Sequence, residues 1–170
     1  EIATMIYTAI AYDTGQFKHD NCTSQTHQFV SKLLNYGVCT SKVAKILFDN
    51  LPLNYFEKLN CALTNMVAYP ENGLVYTYLD ESQLDSEGSV IDVLRQWKGV
   101  RVAAVFQAMP DNFVKVSLRS ERLDVAYFAK FYGGGGHKKA AGIRIEGKLL
   151  DVVELVVTKL KETLLNERLS

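Results

Sequence analysis

The chain has 170 residues, 48% hydrophobic and 22% charged, the balance of a globular protein with room for one compact domain or two small ones. Its 19 Lys and Arg match its 19 Asp and Glu. Zero net charge excludes a histone-like protein that wraps long DNA, but not a small anion site built from a few local cations. Cys22, Cys39 and Cys61 form no CxxC pair, and no secretory signal precedes them, so reduced thiols in a cytoplasmic protein are expected. No apolar run approaches the roughly 18 residues of a membrane span. The chain opens at Glu1 directly into an apolar run, which reads as a cut inside a longer protein.

In chain order, residues 2–11 are apolar and small, compatible with a helix or a buried strand. Asp13-Thr14-Gly15 breaks the run. Residues 24–35 carry Phe29, Leu33 and Leu34 at helical spacing and stop at Asn35-Tyr36-Gly37. Thr40 or Ser41 can cap a second helix with Val43, Ile46 and Leu47. Pro52 starts a longer helix through Tyr55, Leu59, Leu63, Met66 and Val67, ending near Tyr69-Pro70-Glu71-Asn72-Gly73. That cluster divides the chain into a helical part, 1–72, and a second part, 73–170.

The second part changes rhythm. Residues 74–79 (LVYTYL) read as a strand, 89–98 as a helix ended by Gly99, and 100–109 as an apolar β-branched run. After a turn at Pro110-Asp111-Asn112, residues 114–120 alternate strictly. A short helix over 125–132 runs into Gly133-Gly134-Gly135-Gly136, then a strand over 141–146 and an amphipathic helix over 152–165 follow. The fold class expected is α/β or α+β, with about four strands and helices packed on a face.

Three motifs carry chemistry. Four consecutive glycines cost conformational entropy and bury nothing, so their use is backbone freedom: positive φ, and N–H groups turned into one anion-binding concavity. His137, Lys138 and Lys139 add donors and charge at the same place. Upstream, the alternation of KVSLRS puts Lys115, Ser117 and Arg119 on one strand face, where an Arg can offer a bidentate fork to phosphate. Asp13, at the end of the first apolar segment, can be a ligand for a hard divalent cation, although by composition alone Asp-Thr-Gly reads better as a turn or cap. Tyr127, Phe128, Phe131 and Tyr132 read mostly as core, with one able to stack on a base.

GGGGHKKAAG preceded by KVSLRS resembles the DHHA1 domain signature, and AYDTGQF resembles the last conserved motif of the DHH catalytic domain. The chain thus resembles the C-terminal half of a DHH/DHHA1-family phosphoesterase, closest to the bacterial nano-RNases (oligoribonucleases) that also dephosphorylate pAp. The resemblance implies a truncated helical end of a DHH domain, a linker helix, and a DHHA1 domain with a mixed sheet. It implies a complete enzyme with two Mn2+ ions, in which Asp13 is a catalytic residue and metal ligand. Substrate contacts fall to Ser117, Arg119, Ser120, Gly133, Gly134, Gly135, Gly136, His137 and Lys138. The partners implied are short RNA, a dinucleotide or a phospho-nucleotide, with no membrane and with a homodimer allowed.

The sequence departs from the family pattern in lacking the Asp-His-His triplet. Its histidines are His19, His27 and His137, and the first two read as surface residues. One carboxylate cannot hold two metals, so this chain alone is expected to be the inactive, substrate-binding half, with its metals absent. Two alternatives stand: a non-catalytic nucleotide- or RNA-binding module of the kind attached to alanyl-tRNA synthetases, and a cyclic-dinucleotide phosphodiesterase.

Overall fold

The computed structural model describes residues 1–84 and 89–169, with no side-chain detail beyond residue 166. It divides into two compact units, Glu1–Leu51 and the chain from Pro52 onward. The expected division at 72/73 is therefore not where the compact units part. The helix after Pro52 packs on the sheet of the second unit, and the Thr77 hydroxyl donates to the Ala62 carbonyl at 2.6 Å.

The first unit is helical: α1 (Ile2–Asp13), α2 (Ser24–Leu34) and α3 (Thr40–Leu47). The opening apolar run resolves as helix, with Tyr7 and Ala11 turned inward at i, i+4 spacing. They meet Val30, Leu33, Val38 and Val43 in one cluster. Thr23 caps α2 in a capping box with Thr26. Residue Cys39 occupies the cap position of α3 without a side-chain capping bond, so neither Thr40 nor Ser41 caps it; both lie inside the helix.

The second unit is a six-stranded mixed sheet in the order β1-β2-β3-β4-β6-β5. The strands are β1 (Val67–Tyr69), β2 (Leu74–Leu79), β3 (Val102–Met109), β4 (Phe113–Ser120), β5 (Gly135–His137) and β6 (Ala140–Glu146). Only β2 and β3 pair in parallel; the other neighbours are antiparallel. The four expected strands are there, and two three-residue edge strands are added to them. Helix α4 (Leu53–Thr64) stops before Met66, and Val67 begins the edge strand β1 instead of extending the helix. The Asn65 side chain fixes that stop by donating to the Tyr78 carbonyl at 3.0 Å.

Helices cover both faces of the sheet, not one. On one face α6 (Val125–Lys130) and α7 (Leu149–Leu169) bury Leu74, Phe106, Val116, Leu118 and Ile143 against Val156, Leu160 and Leu164. On the other face, α4 and α5 (Val90–Leu94) cover Val75, Leu79, Ala103 and Val105. Helix α5 is shorter than the expected 89–98 span, because the chain turns after Leu94 and Val100 N–H returns to the Trp97 carbonyl at 3.1 Å. The second layer stops at β3. On the same face, β4, β6 and β5 present Lys115, Ser117, Arg119, Gly142, Arg144, Gly135 and His137, none of them buried.

Candidate functional site

Strand alternation sorts the KVSLRS residues by face. Val114, Val116, Leu118 and Ser120 are buried, while Lys115 is exposed and Ser117 and Arg119 are half-buried. Ser120 thus points away from Ser117 and Arg119, on the core side. Its hydroxyl accepts the Arg122 N–H at 3.2 Å and closes the turn after β4. Its place is structural, apart from the other residues named with it.

Sheet register links motifs that are distant in sequence. Arg119 pairs with Ala140 of β6, and Ala140 pairs with His137 of β5. Residues in one row of a sheet share a face, so Arg119 and His137 flank a methyl group on the uncovered side. The next row reads Ser117, Gly142, Gly135, whose two glycines leave it nearly flat.

The glycine run is divided between two tasks. Gly133 is left-handed at φ 71°, its N–H reaches the Lys130 carbonyl at 3.2 Å, and the Gly134 N–H reaches Ala129 at 2.9 Å. That is a Schellman stop for α6, so these two N–H groups close the helix and are not turned toward a ligand. Gly135 and Gly136 belong to edge strand β5, in a hairpin whose two-residue turn is Lys138-Lys139. The run is not a single concave nest. What reaches a ligand here is an edge strand with one unpaired flank, ending in His137 and the exposed Lys138. The Lys138 carbonyl accepts the Val125 N–H at 3.0 Å, tying the hairpin turn to the start of α6.

The close approaches fall on two glycines of the run. A β-carbon on Gly134 would lie 2.3 Å from the Gly142 carbonyl oxygen, and one on Gly136 2.4 Å from that of Ala140. One on Gly135 would meet nothing within 4 Å.

A groove of about 480 Å³ runs along β4 between this open face and the α4–α5 layer. Its cations are Lys58, Lys115 and Arg119, with Ser117 and Gln107 between them. The Arg119 guanidinium donates to the Leu118 carbonyl at 3.1 Å. Gln107 Nε2 donates to the Asp80 carbonyl at 2.6 Å, which anchors the groove floor. Partial burial and then the like charge of Lys115 push the Lys58 ammonium below the ordinary lysine range. Sequence reading missed Lys58, yet a signal was present. At positions 55, 58 and 62 it shares the inward stripe of α4 with buried Tyr55 and Ala62.

In the first unit, Asp13 is the last residue of α1 and is exposed. Asn21 Nδ2 donates to both its carbonyl and its Oδ2 at 3.2 Å. Three consecutive residues beyond it are left-handed: Gly15 (φ 53°), Gln16 (61°) and Phe17 (64°). Thr14 holds this turn, its hydroxyl donating to Ile10 at 2.6 Å and accepting the Phe17 N–H at 3.1 Å. His19 and His27 are exposed, and His27 lies 3.4 Å from the Cys22 sulfur. Among the described residues there is no group of three or more His, Cys, Asp or Glu side chains that could hold a metal ion. The donor set here does not fit a two-metal centre.

The DHHA1 domain family model matches residues 71–166, which include the groove strand β4 and the glycine hairpin. The chain is 36% identical over 172 residues to the bifunctional oligoribonuclease and PAP phosphatase NrnA of Thermus thermophilus, covering 96% of this chain and 51% of that protein. It is 31% identical over 166 residues to the uncharacterized MG371 homolog of Mycoplasma pneumoniae, covering 92% and 50%. The chain spans about half the length of these curated relatives. In fold it is similar to an exopolyphosphatase-related protein from Bacteroides fragilis, with TM-score 0.84 and 22% identity over 95% of this chain and 51% of that one. A pGpG-specific phosphodiesterase, PggH of Vibrio cholerae, shares the fold less closely, with TM-score 0.55 and 12% identity over 82% and 50%. With more than half of its length matched by the family model, the chain belongs to the DHHA1 domain family.

Proposed function

We propose that this chain is the substrate-binding half of a Mn2+-dependent phosphoesterase that, when complete, hydrolyses short oligoribonucleotides, dinucleotides or pAp. The observation that carries the reading is the row Arg119–Ala140–His137, whose Arg119 also lines a groove with Lys115 and Lys58. A planar guanidinium and a ring donor bracket one phosphate, and the lysines hold a further negative charge along the same strand. A groove of about 480 Å³ suits a substrate of a few nucleotides. The similarity to an oligoribonuclease and PAP phosphatase agrees with that chemistry.

Catalysis is assigned to the complete protein. Asp13 contributes one carboxylate, and the other ligands come from residues outside this chain. The left-handed turn at Gly15–Phe17 supports a site at Asp13. Left-handed conformations cost non-glycine residues about 1–2 kcal/mol each, and strain of this kind gathers at functional positions.

The test is Mn2+-dependent release of phosphate from pAp, and cleavage of a 5′-phosphorylated dinucleotide, by the complete protein and its Asp13→Ala variant. The variant should lose turnover while still binding substrate. Retained turnover would remove Asp13 from the site. Hydrolysis by residues 1–170 alone would show that the missing ligands are not needed.

A further inference from the structure

Beyond Arg119, the chain leaves β4 and forms one wall of a second cavity, of about 400 Å³. Its other wall is the turn after α5 and the entry to β3. Arg95, Lys98, Arg101 and Arg122 line it, with Glu121 as the carboxylate among the described lining residues. Trp97 lies in the same wall. Arg101 donates to the Leu164 carbonyl at 3.4 Å, and Arg95, Lys98 and Arg122 gather positive charge at one cavity in a chain of zero net charge.

The framework is fixed by backbone bonds. Glu121 N–H reaches the Arg101 carbonyl at 3.4 Å, and Arg101 and Val102 N–H both reach the Gly73 carbonyl, at 2.6 and 3.0 Å. Trp97 is half-buried against the cluster of Leu94, Val100 and Ala103, so its indole is held in place while part of it remains accessible. Arg95 is exposed and makes only a surface pair with Asp92 at 3.6 Å, a contact that contributes little to folding. Arg122 is exposed and lies three residues past Arg119.

The geometry points to this cleft as an extension of the substrate site that takes the nucleotides of a single-stranded oligoribonucleotide beyond those held at Arg119 and His137. A base stacks on the Trp97 indole, and Arg95 and Arg122 meet the flanking phosphates. Aromatic faces and a cationic track together are the sequence-tolerant means of holding a single strand. The inference rests on the proposed phosphate site at Arg119, which Glu121 and Arg122 of the cleft follow in the chain.

Trp97 is the single tryptophan of the chain, so its emission reports on the cleft directly. The experiment titrates the 170-residue chain with a 5′-phosphorylated dinucleotide and with a pentanucleotide, following indole fluorescence and, separately, the anisotropy of labelled RNA. The pentanucleotide should quench Trp97 and bind on the order of tenfold more tightly than the dinucleotide. In the Arg95→Ala/Arg122→Ala variant that gain should vanish while dinucleotide affinity stays put. The salt slope for the pentanucleotide should also fall, by about 0.7 per phosphate contact removed.

An unquenched Trp97 at saturating pentanucleotide, or a variant that keeps the length gain, overturns the cleft while leaving the Arg119 site standing. A chain that binds neither RNA overturns both. Pentanucleotide binding that needs Arg95 and Arg122, without any dinucleotide binding, sinks the Arg119 site and overturns the cleft as its extension.

Discussion

Arg119 and His137 stand in one row of the sheet, two strands apart, with Ala140 paired to both. At about 4.8 Å per strand their α-carbons are roughly 10 Å apart, and both side chains rise from the same face. Two donors at that separation can close on one phosphate from opposite sides, with only a methyl group beneath it. Eighteen positions separate them in the chain, and the β5–β6 hairpin removes that distance.

The glycines of that hairpin are not interchangeable. Gly134→Ala and Gly136→Ala should each destabilise the chain by about 1–3 kcal/mol, since the added carbon runs into β6 backbone. Gly135→Ala should be nearly neutral, because nothing lies within 4 Å of the added carbon. Denaturant midpoints of the three variants check this ordering. Equal losses at all three positions would mean that the hairpin is not formed as described.

Ser117 and Ser120 should separate cleanly. Ser120→Ala removes the acceptor for Arg122 N–H and should cost about 1 kcal/mol of stability with substrate affinity unchanged. Ser117→Ala should leave stability alone and weaken dinucleotide binding. The pair of measurements is thermal unfolding and calorimetry on both variants, and a reversed pattern would exchange their assigned places.

Lys58 gives a pH signature. Its folded pKa lies below its unfolded value, so in the window between the two the unfolded chain binds more protons. The cost of keeping Lys58 charged in the groove applies in full below the folded pKa and is relieved as pH rises through the window. Stability should therefore climb with pH just below the ordinary lysine range, and less so in Lys58→Gln. Anion binding should run the other way, weakening over the same window as the ammonium discharges. Dinucleotide titrations at several pH values check this. An identical pH dependence in Lys58→Gln would place Lys58 outside the site.

The strands of the sheet that bury one face were legible because alternation is a strong, local signal: VKVSLRS puts its apolar and polar residues on opposite sides without help from tertiary structure. The three-residue edge strands were not. Val67–Tyr69 continues the apolar spacing of α4, and only the Asn65 contact with Tyr78 shows that the helix has ended. Gly135–His137 has no side-chain pattern, and glycine is a poor strand former, so its pairing depends on β6 lying alongside. The same gap explains the site. The row Arg119–Ala140–His137 is a consequence of register, which no single segment encodes, and Lys58 reaches the groove from a helix that sequence alone assigned to the other part of the chain.

Calorimetric titration of a 5′-phosphorylated dinucleotide into the complete protein and its Arg119→Ala and His137→Ala variants tests the central claim most directly. Loss of one charge-assisted hydrogen bond is worth about 1.5–3 kcal/mol, so each variant should bind roughly ten- to a hundred-fold more weakly while unfolding at the parent's temperature. If both variants bind as tightly as the parent, the phosphate is held elsewhere and the glycine hairpin is only a turn at the edge of the sheet.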